Sequence, residues 1–137
     1  MIINEEVEKI FNTYPDSVSI KLMNLRSLII ETVKKLNLES SFEETIKWGQ
    51  ASYKVKDGST IRLAWSNKTP GIYGMYFTCS TRLIETFREL YNNHFTFEDN
   101  RAILFEIDEV VYEQGLVHCI ELALTYHKIK DLPNLGI

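Results

Sequence analysis

The spacing of apolar residues changes from a period of 3.6 to a period of 2 just beyond Phe42, and this change limits the chain to a mixed fold. Before the change, apolar residues recur at helical spacing in two segments, which predicts two helices separated by Pro15. The first segment contains Val7, Ile10, Phe11 and Tyr14. The second contains Leu22, Leu25, Ile29, Val33 and Leu36.

After the change, short runs of alternating apolar residues predict strands. The first two runs are Thr45–Trp48, in which Ile46 and Trp48 are expected to share a face, and Gln50–Val55. Later runs contain Ile61, Leu63 and Trp65, and then Tyr73, Met75 and Phe77. Asp57-Gly58 and Asn67–Gly71 predict turns between them. Because the connections are too short for parallel crossovers, we expect antiparallel pairing.

The rest of the chain predicts two further helices around a closing hairpin. The helices are expected at Arg82–Tyr91 and from Tyr112 to Lys128, and the hairpin is formed by Phe95–Phe97 and Arg101–Ile107. The sequence therefore predicts a single two-layer α+β domain over residues 1–137. It has two N-terminal helices, an antiparallel sheet of about five to six strands and two further helices.

Charge and composition exclude several classes of protein. Nineteen acidic and fifteen basic residues give a net charge of −4, which argues against a general affinity for nucleic acid. Basic pairs such as Lys54 with Lys56 are interpreted as solvated surface. No apolar run approaches the ~20 residues of a membrane span, residues 1–6 do not resemble a secretory signal, and two cysteines form no dense framework. We expect a cytoplasmic protein with neither a nucleic-acid nor a membrane partner.

Several segments together resemble the YdhG-like family of uncharacterised bacterial domains. They are Tyr14-Pro15, Ile46–Gln50 with Ser52-Tyr53, Tyr76-Phe77 before Cys79, Asn100–Ile103, and His118–Ile120 in the closing helix. The likeness covers the chain from about Tyr14 to Tyr126. It implies a fold more than an activity, because the family has no established reaction. Some relatives are similar to frataxins, iron-binding chaperones with helices packed on an antiparallel sheet, so the resemblance makes iron a candidate cofactor.

Acidic residues in the first helix are the best candidates for a metal site of the frataxin kind. They are Glu5, Glu6 and Glu8, with Asp16, Glu43 and Glu44 as further candidates. Hard cations such as ferrous iron accept carboxylate oxygens. The alternative is a solvated face on which carboxylates favour the positive end of the helix dipole.

Aromatic residues concentrate in the predicted sheet and suggest a second kind of site. Trp48, Tyr53 and Trp65, with Arg62 and Arg101 nearby, are candidates to bind a planar or anionic small molecule or a partner protein. The alternative is core packing and cross-strand pairing.

No recognisable catalytic set accompanies these candidates. Cys79 precedes a predicted helix but has no local base, and His118 with Glu121 would need metal ligands from other elements. We expect a non-enzymatic binding module, either a frataxin-like iron binder or a small-ligand or protein-docking module that uses the aromatic sheet. An enzyme with an unrecognised site is the third hypothesis.

Overall fold

The computed structural model describes residues 1–137, and its first two helices match the predicted ones. Helix α1 spans Glu5–Asn12, and the Asn4 side chain caps it by accepting a hydrogen bond from the Glu6 backbone N–H. Helix α2 spans Asp16–Lys35 and begins directly after Pro15. Pro15 has no N–H to donate and a fixed φ, so it suits the junction between two helices.

Six antiparallel strands form one sheet, which confirms the predicted α+β class. They are β1 (Glu43–Lys47), β2 (Gln50–Lys54), β3 (Ile61–Trp65), β4 (Ile72–Phe77), β5 (Thr96–Glu98) and β6 (Ala102–Glu106). Their spatial order is β1-β2-β3-β4-β6-β5. Helix α3 (Leu83–Tyr91) connects β4 to β5, so the closing hairpin returns with β6 beside β4 and β5 at the edge.

The predicted final helix is broken into two pieces. Helix α4 spans Glu113–Leu124 and helix α5 spans Tyr126–Ile129, with Thr125 between them at φ −116°. The break lets the backbone N–H of His127 donate to the carbonyl of Asp57, in the loop between β2 and β3, at 2.9 Å. Among all the helices, none combines the length and the apolarity that a membrane span needs.

The helices cover one face of the sheet and leave the other face open. Alternate strand residues point into a hydrophobic core of 31 buried residues shared with the helices, Ile61, Leu63, Met75 and Ile103 among them. The residues between them, including Ser52, Arg62 and Tyr76, are paired across strands on the opposite face. The face of the sheet that no helix covers is called the open face below.

One predicted strand end and one predicted turn differ from the expected geometry. β1 ends at Lys47, and Trp48 and Gly49 form a two-residue turn with φ values of 50° and 75°, as in a type I′ hairpin. Trp48 therefore does not continue the face of Ile46, because the alternation stops where the strand ends. The predicted tight turn at Asp57-Gly58 is instead part of a longer loop over residues 55–60, which bonds to the end of α4 through Ser59 N–H and the Ala123 carbonyl at 2.8 Å.

The N-terminal residues run beside the outer edge of the sheet. Ile2 forms a parallel bridge to Glu43, with its N–H donating to the Phe42 carbonyl and its carbonyl accepting from the Glu44 N–H, each at 2.9 Å. The edge of β1 is thereby partly covered by the chain itself.

Candidate functional site

A groove of about 480 Å³ lies on the open face, over the strands β1 to β3. Trp48 lies at the hairpin end of β1 and β2, and Thr78 and Cys79 lie beyond the end of β4. The groove is lined by the outward side chains of the strands, because their inward neighbours fill the core. This surface is called the open-face groove.

Basic residues dominate the charge of the open-face groove. Lys47, Lys54, Arg62 and Arg101 line it, against a single carboxylate, Glu43. In a chain of net charge −4, this concentration is local rather than a consequence of overall composition. The arrangement favours an anionic ligand.

Most of these positive charges lack a carboxylate partner. None of the five ion pairs of the chain involves Lys47, Lys54 or Arg62. Arg62 donates only to the amide oxygen of Gln50, at 3.3 Å. Arg101 differs, because its guanidinium pairs with Glu98 at 2.9 Å and this pair raises the pKa of Arg101. The free charge of the groove therefore resides mainly on the first three residues.

Trp48 is the most unusual residue of the groove. Its side chain is 88% exposed, and its backbone has the positive φ that a bulky residue adopts only at a cost. The Arg62 guanidinium lies 5.9 Å from the centre of its ring, within the range of a cation–π contact. The fold thus places a guanidinium over an exposed indole ring at the groove.

Tyr53 and Trp65, the other predicted aromatic ligands, lie on the helix-covered face. Tyr53 is fully buried, and its hydroxyl donates to Glu44 Oε2 at 2.7 Å. Trp65 packs on Tyr14 with ring centres 4.9 Å apart, and its Nε1 donates to the carbonyl of Pro70 at 3.0 Å. Both residues stand at inward positions of their strands, so the groove unites Trp48 with Arg101 but not with them.

Glu44 is bound to protein groups on every side rather than free for a metal ion. It is 1% exposed and accepts hydrogen bonds from Arg26 Nε at 2.7 Å, Arg26 Nη2 at 3.0 Å and the Asn4 N–H at 3.0 Å. Burial alone would raise the pKa of Glu44. The hydrogen bonds from Arg26, Tyr53 and Asn4 outweigh burial and lower that pKa below its ordinary value.

The predicted iron ligands lie on the exposed side of α1. Glu6 pairs with Lys9 at 3.1 Å, and Glu8 pairs with Arg26 at 3.2 Å, while Glu5 is exposed in the first turn. No group of three or more His, Cys, Asp or Glu side chains is arranged to hold a metal ion. The iron site at these three residues stays a prediction.

The remaining candidates are dispersed. His118 Nδ1 is hydrogen-bonded to the Tyr91 hydroxyl at 2.6 Å, while Glu121 pairs with Lys35 at 2.7 Å. Cys79 is exposed at the end of the open-face groove, four residues before α3 begins. Cys119 is buried in the core, and burial raises the pKa of its thiol.

Sequence reasoning missed Lys47 and Lys54 as members of the site. The signal lies in the strand alternation: if Ala51 and Tyr53 face the core, Lys47, Ser52 and Lys54 share the opposite face. Lysines are so common on surfaces that the pattern alone did not separate a binding face from a solvated one.

Comparison with protein-family models, with curated proteins and with solved structures finds no match in any of the three. The resemblance to the YdhG-like family stays a prediction. The chemistry of the open-face groove is therefore the basis for assigning a function.

Proposed function

We propose that this chain is a binding module that holds a small anionic molecule with a planar ring in the open-face groove. The observation that carries this proposal is Trp48, an 88% exposed indole held at positive φ. An exposed ring adds no burial to the stability of the fold, and a bulky residue at positive φ lowers that stability, so the cation–π contact with Arg62 is the only contribution identified for tryptophan at this position. A planar ligand stacked on the ring gives the residue a role.

The charges of the groove supply the second half of the recognition. Lys47, Lys54 and Arg62 have no carboxylate partner, so an anionic group of a ligand would meet cations that are not already neutralised. A volume of about 480 Å³ suits a small molecule, since such sites commonly occupy roughly 300–1,000 Å³. Size, charge and the exposed ring support the same class of ligand.

The test uses Trp48 as its own reporter. A Trp65→Phe variant leaves Trp48 as the only tryptophan, and its fluorescence is followed during titration with aromatic carboxylates and nucleoside phosphates, and with the uncharged parent rings. We expect saturable quenching by the anionic compounds and at least fivefold weaker binding by the neutral ones. Arg62→Gln and Lys47→Gln should each weaken binding of the anions at least threefold.

Lys34→Gln is the matched control, because Lys34 is an exposed lysine of α2, far from the open face. It removes the same charge and should leave the titration unchanged. Quenching that none of the anionic rings saturates, or that Lys34→Gln weakens as much as Arg62→Gln, would contradict the proposal.

A further inference from the structure

A second pocket, of about 420 Å³, adjoins the open-face groove where β2 and β4 end. Its walls come from the loop before β3, the segment after β4 and the region of α5. Five of its lining residues carry hydroxyl groups on short side chains: Ser59, Thr60, Thr78, Ser80 and Thr81. It is called the hydroxyl pocket.

The hydroxyl pocket is lined by basic residues and by no carboxylate. Lys54, His127 and Lys130 line it, and no Asp or Glu does. Neither lysine takes part in any ion pair of the chain. Hydroxyl donors together with ammonium groups, in the absence of carboxylates, are the groups that bind a phosphate.

Part of the hydroxyl set is already bonded within the protein, and part is free. Ser59 donates to Thr78 Oγ1 at 3.3 Å, and Thr81 donates to the Thr78 carbonyl at 2.7 Å. These bonds fix the wall of the pocket. The hydroxyls of Thr60 and Ser80 have no such bond and remain available to a ligand.

The hydroxyl pocket and the open-face groove share part of their lining. Lys54, Thr60 and Thr78 border both. Strand β2 runs between Trp48 and the shared residues, and its five residues extend about 14 Å at ~3.4 Å per step. A ligand that reached from the indole to the hydroxyl pocket would need a chain of that length between its ring and its terminal anion.

We infer that the hydroxyl pocket is the phosphate subsite of the ligand in the open-face groove, which makes that ligand a nucleoside polyphosphate. The inference rests on the proposed function, because it assigns the far end of a molecule whose ring stacks on Trp48. The ring would then stack on Trp48 beside Arg62, and the linking groups would contact Lys54. The terminal phosphates would contact Thr60 and Lys130.

Titration of the full chain with four compounds tests the inference. ATP, AMP, adenosine and inorganic tripolyphosphate are each titrated by calorimetry and, in the Trp65→Phe background, by Trp48 fluorescence. We expect ATP to bind at least tenfold more tightly than AMP. Tripolyphosphate should bind without quenching the fluorescence of Trp48, because it has no ring to stack on the indole. Lys130→Gln and Ser80→Ala should weaken ATP and tripolyphosphate at least fivefold and leave AMP within twofold.

Lys128→Gln is the matched control, because Lys128 is an exposed lysine of α5 that does not line the pocket. It should change none of the four affinities by more than twofold. Ser80 and Lys130 are exposed and outside the core, and unchanged melting temperatures of the variants would show that the fold is intact.

The outcomes separate this inference from the proposed function. If ATP and AMP bind equally and Lys130→Gln changes neither, the phosphate subsite is overturned while ring binding in the groove stands. If tripolyphosphate binds through Lys130 but no nucleotide quenches Trp48, the nucleoside polyphosphate is overturned, while the titration with aromatic carboxylates decides the proposed function. If none of the four compounds binds, the phosphate subsite is overturned, and the proposed function is overturned with it only when the aromatic carboxylates also fail to quench Trp48.

Discussion

Glu43 and Glu44 are neighbours of the same residue type, yet they have opposite roles. Glu43 lies outward at the groove, and Glu44 lies inward among Arg26, Tyr53 and the Asn4 N–H. Strand alternation explains why one of the two must face inward. Strand alternation does not show which of the two glutamates faces inward. It also does not show that Arg26, 18 residues earlier on α2, binds the inward one, because that contact depends on how the helix packs on the sheet.

Removing the Glu44 charge should destabilise the protein strongly. Glu44→Gln leaves the largely buried guanidinium of Arg26 without its main partner, and loss of one member of a buried pair costs about 3 kcal/mol. Glu43→Gln, an outward change of the same kind, should alter the free energy of unfolding by less than about 0.5 kcal/mol. Urea denaturation at pH 7 measures both, and equal effects would contradict the assignment.

The same carboxylate predicts how stability depends on pH. The pKa of Glu44 is lowered in the folded state, whereas the unfolded chain should show a value near 4.3. The stabilisation is therefore fully present above that unfolded value and is lost as pH falls through the lower folded pKa. The difference in urea midpoint between the wild type and Glu44→Gln should narrow from pH 6 towards about pH 3. A constant difference over this range would contradict the predicted shift.

The two tryptophans should differ in their contribution to stability. Trp48→Asn places in the type I′ turn a residue that tolerates positive φ, so the free energy of unfolding should stay constant or rise by up to about 1 kcal/mol. Trp65→Asn removes the packing on Tyr14 and the bond to Pro70, and should lower it by about 2 kcal/mol. Thermal and urea unfolding measure both changes. If Trp48→Asn costs as much as Trp65→Asn, the ring at position 48 has a structural role instead.

At the scale of elements, the hydrophobic period predicted most helices and strands, and tertiary contacts decided where they end. The apolar stripe through Leu22, Leu25 and Ile29 predicts α2 correctly. These three side chains are fully buried, so their spacing reflects the face of the helix that packs in the core. The break at Thr125 has no comparable signal. It depends on a hydrogen bond from His127 to Asp57, 70 residues away along the chain, which local periodicity does not contain.

Gly115 illustrates a position where packing overrides helix propensity. A Cβ there would lie 2.7 Å from the ring of Tyr112 and 3.1 Å from Cε1 of Tyr91. Tyr112 in turn stacks on His94, with ring centres 4.5 Å apart. The glycine in the first turn of α4 therefore makes room for an aromatic cluster between α3 and α4.

Gly115→Ala should consequently destabilise the protein, although alanine favours helix by about 1 kcal/mol. Displacing the Tyr112 ring costs more than this gain, and we expect a net loss of about 1 kcal/mol in the free energy of unfolding. In a Tyr112→Ala background the same substitution should cause no loss. Urea denaturation of the four proteins measures this coupling, and stabilisation by Gly115→Ala in the wild type would contradict it.

For the molecule as a whole, the sequence predicted the layers but not the distribution of charge. The net charge of −4 does not reveal the basic open-face groove, because the acidic residues lie largely outside that groove, several of them on α1. Strand register determines which lysines converge. That the backbone positions of Lys54 and Glu43, or of Ser52 and Arg62, lie opposite each other is visible only in the folded sheet.

The hypothesis of an iron site on α1, drawn from the sequence alone, makes a separate prediction for the other side of the molecule. Anaerobic titration with ferrous iron should give saturable binding, weakened at least fivefold when Glu5, Glu6 and Glu8 are changed together to glutamine. The affinity should be low, because Glu6 and Glu8 also bind Lys9 and Arg26. The control changes three exposed helical carboxylates elsewhere, Glu31, Glu85 and Glu89, to glutamine. The absence of any binding heat in the wild type would contradict the iron hypothesis.

The bridge from Ile2 to Glu43 affects how copies of this chain behave when concentrated. Strand pairing between molecules usually begins at an unpaired edge strand, and a short or covered edge strand discourages it. Here one edge strand, β1, is partly covered by residues at the N-terminus, and the other, β5, has only three residues. Removing residues 1–3 would uncover β1, so the shortened protein should aggregate at concentrations at which the full chain stays in solution.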